Sequence, residues 1–134
     1  MAKRMLNPSK RLPFTVMEDV NFARGIGDTA TSASYLLLSA RRTEFYAGSA
    51  KPGSYYAESG HIASAALYAY AAEEMAPIST YKALRALVHA KQQLGGRQDP
   101  IPRMVAKQRS KKAITVAQVK RQVALARAVI RSSA

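Results

Sequence analysis

A chain of 134 residues carrying a formal net charge of +13, from 21 basic and 8 acidic side chains, has material for one modest hydrophobic core. It contains no cysteine, which excludes disulfides, thiolate catalysis and Cys-ligated zinc. Its longest interior charge-free run, 59–72, is shorter than the roughly 20 residues a membrane-spanning helix needs, and the opening MAKRMLNPSKRLPF has no apolar run of the kind a secretory signal requires.

Residues 1–13 read as a basic, extended N-terminal arm punctuated by Pro8 and Pro13. A short helix is predicted over 15–24, with Thr15 as N-cap, Glu18 as its capping-box partner and Gly25 as its stop. Asp28 caps a second helix over 29–49, on which Tyr35, Leu38, Arg42 and Phe45 share a face. Lys51-Pro52-Gly53 breaks the chain, and Ser54 caps a third helix over 55–75. Ser79 or Thr80 opens a fourth over 79–94, where Tyr81, Leu84, Leu87, Val88 and Leu94 recur near helical spacing before Gly95-Gly96 ends it. RQDPIPR is a connector. Thr115 and Gln118 form a capping box for a last helix over 116–131, with an apolar stripe of Val116, Val119, Val123, Ala126 and Ile130. No period-two pattern appears. The expected fold is all-α, a bundle of four to five helices: a basic arm (1–13), a neutral body (14–96) and a basic C-terminal segment (97–134) ending in an amphipathic helix.

Alanine supplies 25 residues, and the third helix is the extreme case. Small residues recur four apart at Gly60/Ser64, Ala65/Ala69 and Ala72/Ala76. Two readings stand: alanine simply propagates helix, or the spacing lets helices approach closely, inside the bundle or between subunits. Tyr55, Tyr56, Tyr68, Tyr70 and Tyr81 lie in the neutral body, away from the charge, and are expected to pack rather than to stack on bases.

Little in the chain suggests catalysis. The histidines are His61 and His89, and no zinc-protease, phosphate-loop or serine-nucleophile motif is present. Arg85-x-x-x-His89 is one residue shorter than the Arg/His motif of helical toxin ribonucleases and lacks its acid, so it reads as a surface Arg and a core or rim His. Gly25-Ile26-Gly27 reads as a turn. Glu73-Glu74 reads as a solvated pair or an acidic spot for a neighbour's basic arm. The expectation is a non-enzyme with no cofactor, no metal and no small-molecule substrate.

Charge is the informative feature. Lys3, Arg4, Lys10 and Arg11 stand at the N-terminus with no acid, and from Arg97 onward ten basic residues face Asp99 alone. Between them, over 13–96, seven basic residues balance seven acidic ones. A folded domain gains nothing from such an excess, whereas a polyanion releases counterions when its phosphates are neutralised. The candidate phosphate contacts are Lys3, Arg4, Lys10, Arg11, Arg97, Arg103, Lys107, Arg109, Lys111, Lys112, Lys120, Arg121, Arg127 and Arg131. No helix-turn-helix arrangement of base-reading side chains is recognisable, which favours backbone binding over sequence reading. The last helix is basic and amphipathic, but its apolar side is Val and Ala without Trp or Phe, so an anionic membrane ranks below nucleic acid.

The opening MAKRMLNPSKR, the Ala/Ser/Tyr-rich helices between Asp28 and Leu94 and the basic tail from Arg97 together resemble the small all-helical major coat proteins of filamentous and rod-shaped archaeal double-stranded DNA viruses. The resemblance is architectural and compositional over the whole length and rests on no diagnostic motif, and the length of the basic C-terminus departs from the family pattern. It implies paired coat subunits, identical or paralogous, wrapped helically around A-form duplex DNA in a virion, with Lys3, Arg4, Lys10, Arg11 and the cations of 103–131 facing phosphate. Two other readings stay open: an RNA-binding ribonucleoprotein or ribosome-associated component, and a phage structural subunit whose arms clasp acidic patches on neighbours.

Overall fold

The structure, a computed structural model, describes residues 15–101 and 113–133. Those residues form five helices and no strand: α1 (Val16–Arg24), α2 (Thr29–Ser49), α3 (Tyr55–Met75), α4 (Thr80–Leu94) and α5 (Val116–Ser133). The protein is an all-helical bundle.

Helix starts follow from local hydrogen bonding. The first amides of a helix have no intrahelical acceptor, and a short oxygen-bearing side chain supplies one. Asp28 accepts from the Thr31 amide at 2.9 Å, Ser54 from Ala57 and Ser79 from Lys82, both at 3.2 Å. At α5 the capping box closes in both directions, Thr115 N–H to Gln118 Oε1 at 2.8 Å and Gln118 N–H to Thr115 Oγ1 at 3.2 Å. At α1 the expected side-chain cap is absent: Thr15 has φ −99° and ψ 67°, away from the extended geometry that aims a cap oxygen at the helix, and its carbonyl accepts from Glu18 and Asp19 instead. Gly95, at φ 51° and ψ −136°, ends α4 with a backbone that side chains disfavour.

α3 is the axis. It packs on α2, α4 and α5 and touches α1. Alanine surrounds it: Ala63, Ala65, Ala66, Ala69, Ala71 and Ala72 are all buried, with Ile62 and Leu67 as the large side chains among them. Gly60, Ser64 and Ala76 are buried too, so every member of the three small-residue pairs lies inside this bundle. Ser64 Oγ donates to the Ala40 carbonyl of α2 at 3.0 Å. A serine hydroxyl is short, so reaching a neighbour's backbone means the two helices run close together.

Close approach decides which face of each outer helix turns inward. On α2 the buried set is Ser32, Ala33, Leu36, Ser39, Ala40, Thr43 and Ala47. Of the predicted face, Leu38, Arg42 and Phe45 point outward, with Leu38 51% and Phe45 67% exposed, while Tyr35 at its edge is half-buried against the core. On α4, Ala83, Ala86, Leu87, Ala90 and Leu94 are buried, while Tyr81, Leu84 and Val88 face out. Small side chains fill most of the narrow gaps beside α3, with Leu36, Leu87 and Leu94 as the large ones among them, and the other large apolar side chains of α2 and α4 lie toward the surface.

The core continues through α5, where Val119, Val123, Ala126 and Ile130 are buried and Val116 packs against them, as the apolar stripe predicts. Asp99 Oδ1 accepts from the Val116 amide at 2.7 Å, and Gln122 Nε2 donates to Glu73 Oε1 at 2.6 Å. These bonds tie the start of α5 to the connector after α4, and its second turn to the end of α3. Residues 116–133 are thus part of the bundle.

Candidate nucleic-acid interface

Seven carboxylates among the described residues have named hydrogen-bond partners. Asp19 accepts from the Tyr35 hydroxyl at 3.2 Å and Glu44 from Tyr68 at 2.7 Å. Glu58 pairs with Arg97 at 3.1 Å. Glu73 is held by Gln122 and Glu74 by Ser32 Oγ at 3.4 Å. Glu73 and Glu74 therefore tie α3 to α5 and α2 rather than forming a simple solvated pair. Asp28 and Asp99 serve helix starts, and Glu18 is engaged as well. Asp19, Glu44, Glu58, Glu73 and Glu74 are half-buried.

These bonds shift the groups that make them. The hydroxyl and amide of Thr31 hold the Asp28 carboxyl below its usual value. Burial, then the hydrogen bond to Glu44 and its charge, pushes the Tyr68 phenol well above its ordinary range, with Arg41 opposing. Burial and the charge of Asp19 raise Tyr35 in the same direction.

The cations are arranged differently. Arg24, Arg41, Arg42, Lys51, Lys82, Arg85, Lys91, Lys120, Arg121 and Arg131 are all exposed, and Arg127 is half-exposed. Arg24 lies over the Tyr70 ring at 5.6 Å and Arg85 over Tyr81 at 5.7 Å. Among the described residues, the ion pair within bonding distance is Arg97–Glu58. Five carboxylates are half-buried and held by the framework, with Glu18, Asp28 and Asp99 exposed, so the charged side chains most open to solvent are mostly cations.

Of the residues singled out from sequence, Lys120, Arg127 and Arg131 fall on one flank of α5, at i, i+7 and i+11. Arg121 lies on another side of the helix. There it lines a cleft of about 820 Å³, with Thr15, Met17, Tyr70, Ala113 and Thr115. Thr15 directly follows the N-terminal basic segment, and Ala113 directly follows the basic stretch beginning at Arg103. Thr15 and Ala113, each the first described residue after a basic stretch, thus both line this cleft, together with Glu18, while Ile101 at the other end of 102–112 does not. Arg97 stands apart, because Glu58 and the Gln93 carbonyl, at 2.7 Å, hold its guanidinium. Lys3, Arg4, Lys10, Arg11, Arg103, Lys107, Arg109, Lys111 and Lys112 lie outside the described residues.

Sequence reasoning passed over the body's own cations, Arg41, Arg42, Lys82 and Lys91 among them, because equal numbers of acids stood beside them in the chain. A usable signal was present: Asp28 precedes a helix start and is an N-cap by position, so its charge belongs to the framework.

The Arg85/His89 pair is not brought together. Arg85 and His89 diverge: Arg85 turns out onto Tyr81, while His89 stacks on Tyr68 with ring centroids 5.0 Å apart. His61 bonds Gln93 at 2.7 Å. Among the described residues no cluster of three His, Asp or Glu side chains could hold a metal, and no helix is long and apolar enough to cross a membrane. The site so defined is an exposed cationic surface on a helical bundle. No family model, curated protein or solved structure matches the chain.

Proposed function

We propose that the protein is a non-enzymatic structural protein that coats or packages nucleic acid, with duplex DNA favoured, inside a larger nucleoprotein assembly such as a virion. The observation that supports this reading is the division of roles between charges: five carboxylates are half-buried and bonded into the framework, most cations are exposed, and Thr15 and Ala113, each following a basic stretch, line one cleft. Phosphates bound to such a surface release counterions without reference to sequence. Arg97 acts here as a strap between α3 and the connector after α4, and the other cations meet phosphate. Tyr68 stacks on His89 within the bundle, while the exposed Tyr81 ring carries Arg85 over it; duplex DNA is favoured on the resemblance to duplex-coating proteins.

The test is a titration of the protein with random-sequence duplex DNA at several salt concentrations, beside single-stranded RNA of equal length. Six to ten phosphate contacts weaken affinity by about 10³–10⁵ between 50 and 200 mM salt. A loss of that order, without sequence preference and with the duplex bound at least as tightly, supports packaging. Tighter binding to the RNA favours the ribonucleoprotein reading, and weak binding without salt dependence contradicts both.

A further inference from the structure

A row of large apolar side chains runs along the outside of α4. Ile78, just before the helix, and Tyr81, Leu84 and Val88 on it follow at intervals of three or four residues and are 48%, 67%, 47% and 53% exposed. The opposite side, with Ala83, Ala86, Leu87 and Ala90, is buried in the bundle, which fixes the row outward. At about 3.6 residues per turn, Arg85 and Lys91 stand roughly 60° to either side of the row, with Lys82 beyond Arg85. Arg85 also turns to the tyrosine, donating to its hydroxyl at 3.2 Å with its guanidinium 5.7 Å from the ring centre. α4 carries no acidic residue. The exposed carboxylates, Glu18, Asp28 and Asp99, sit on α1, at the start of α2 and in the connector after α4. The apolar stripe of α5, the helix whose sequence is basic and amphipathic, is buried; the fold leaves open the one on α4.

We propose that this face of α4 docks on an anionic lipid surface, with the apolar row entering the acyl boundary and the cations beside it meeting headgroup phosphates. Lys and Arg reach headgroups along their aliphatic stems, and the Tyr81 ring places an apolar body below a polar tip. Other occupants answer only part of the face. A duplex satisfies the cations but offers phosphate and sugar, not hydrocarbon, to Ile78, Leu84 and Val88. A second copy presenting the same face sets Arg85 and Lys91 against the same cations, and the carboxylates elsewhere in the chain are already engaged within the fold. A partner protein must bring a matching groove to a single convex ridge. A lipid surface has no shape to match, so each side chain gains by inserting on its own. α1 also exposes Met17 and Phe22, but its first turn carries Glu18 and Asp19, which anionic lipid repels. On α2 the exposed large apolar residues are Leu38 and Phe45, two against the four of α4. The inference goes beyond nucleic-acid packaging and does not depend on it.

The chain has no tryptophan, so Tyr81→Trp puts a single fluorescent reporter on this face and Phe22→Trp puts one on α1. Each full-length variant is titrated at about 0.1 M salt with vesicles of phosphatidylcholine containing about 30% phosphatidylglycerol, and with phosphatidylcholine alone. Basic ends are drawn to any anionic surface, so the readout is the surroundings of the indole rather than binding by itself. On the mixed vesicles the indole of Tyr81→Trp is expected to shift to the blue and to be quenched by brominated acyl chains, while that of Phe22→Trp stays in water. Adding Leu84→Ser/Val88→Ser to the first reporter weakens vesicle binding about tenfold or more. It leaves the circular dichroism and the salt dependence of duplex DNA binding unchanged. The docking is overturned by no vesicle binding, by an indole at 81 that stays in water on bound vesicles, by an equal shift in Phe22→Trp, by equal binding of the serine variant, or by equal insertion into phosphatidylcholine alone. A blue shift of Tyr81→Trp without lipid, growing with protein concentration, overturns it in favour of a second copy. If duplex binding stays steeply salt-dependent in those cases, the phosphate reading stands without it.

Discussion

α3 and α4 are both helices of this bundle, and they distribute side-chain size in opposite ways. α3 is enclosed by its neighbours and lined with alanine, while α4 buries Ala83, Ala86 and Ala90 and presents Tyr81, Leu84 and Val88 to solvent. The difference shows that this fold is built on closeness rather than bulk. Small residues let backbones approach and make many short contacts around a few large side chains such as Leu36, Ile62 and Leu67, and several other large apolar residues lie at the surface, open to other molecules. Charge divides in a similar way, five carboxylates being half-buried while most of the cations, with Glu18, Asp28 and Asp99, are exposed.

Substitutions can break that comparison, and the largest effect falls where a large side chain does sit in the centre. Leu67→Ala removes one of the few bulky groups beside α3 and is expected to destabilise by about 2–5 kcal/mol, read as a lower denaturant midpoint at unchanged slope. A loss under 1 kcal/mol would mean the alanine shell collapses around the gap. The converse insult, Ala69→Leu, forces bulk into a fully buried site and is expected to cost about 1–3 kcal/mol.

Tyr68→Phe keeps the ring on His89 but removes the hydrogen bond to Glu44, at a cost of about 1 kcal/mol near neutral pH. It has a pH signature. The folded phenol holds its proton more tightly than the unfolded one, so its contribution is complete below the ordinary tyrosine range and is lost as pH rises above it. Wild-type stability should therefore fall more steeply above about pH 10 than that of Tyr68→Phe, and parallel profiles would contradict the assignment. The smallest effect is at the surface: Phe45→Ser should change stability by no more than about 0.5 kcal/mol, despite removing a large apolar side chain. A loss of several kcal/mol would place Phe45 in a core.

The helices themselves were legible because their signals are local. Asp28, Ser54, Ser79 and the Thr115/Gln118 pair cap where position and residue type say they should, and Gly95 and Lys51-Pro52-Gly53 stop where glycine and proline stop helices. The last helix also showed its buried stripe, since valine and isoleucine carry enough hydropathy to mark it. Orientation on α2 and α4 was not legible. Two periodicities run through each, one of large apolar residues and one of alanine and serine, and hydropathy weights the first although packing selects the second. Charge was half legible: the acid-free ends stand out in the chain, but the partners of Glu44, Glu73 and Glu74 lie 24, 49 and 42 residues away, a relation only the folded chain creates.

The central claim is that the helical body offers a cationic surface although its acids and bases nearly balance in number. Its most direct test is the slope of log affinity against log salt for random duplex DNA, measured on the full chain and on a variant with Lys3, Arg4, Lys10, Arg11, Arg103, Lys107, Arg109, Lys111 and Lys112 all changed to Gln. The bundle's core and all its described hydrogen bonds remain in that variant. The account predicts a shallower slope that stays clearly negative, because Arg41, Arg42, Lys120, Arg127 and their exposed neighbours still meet phosphate. A slope that falls to zero, with binding lost altogether, would contradict it and leave the body a neutral carrier for charged ends.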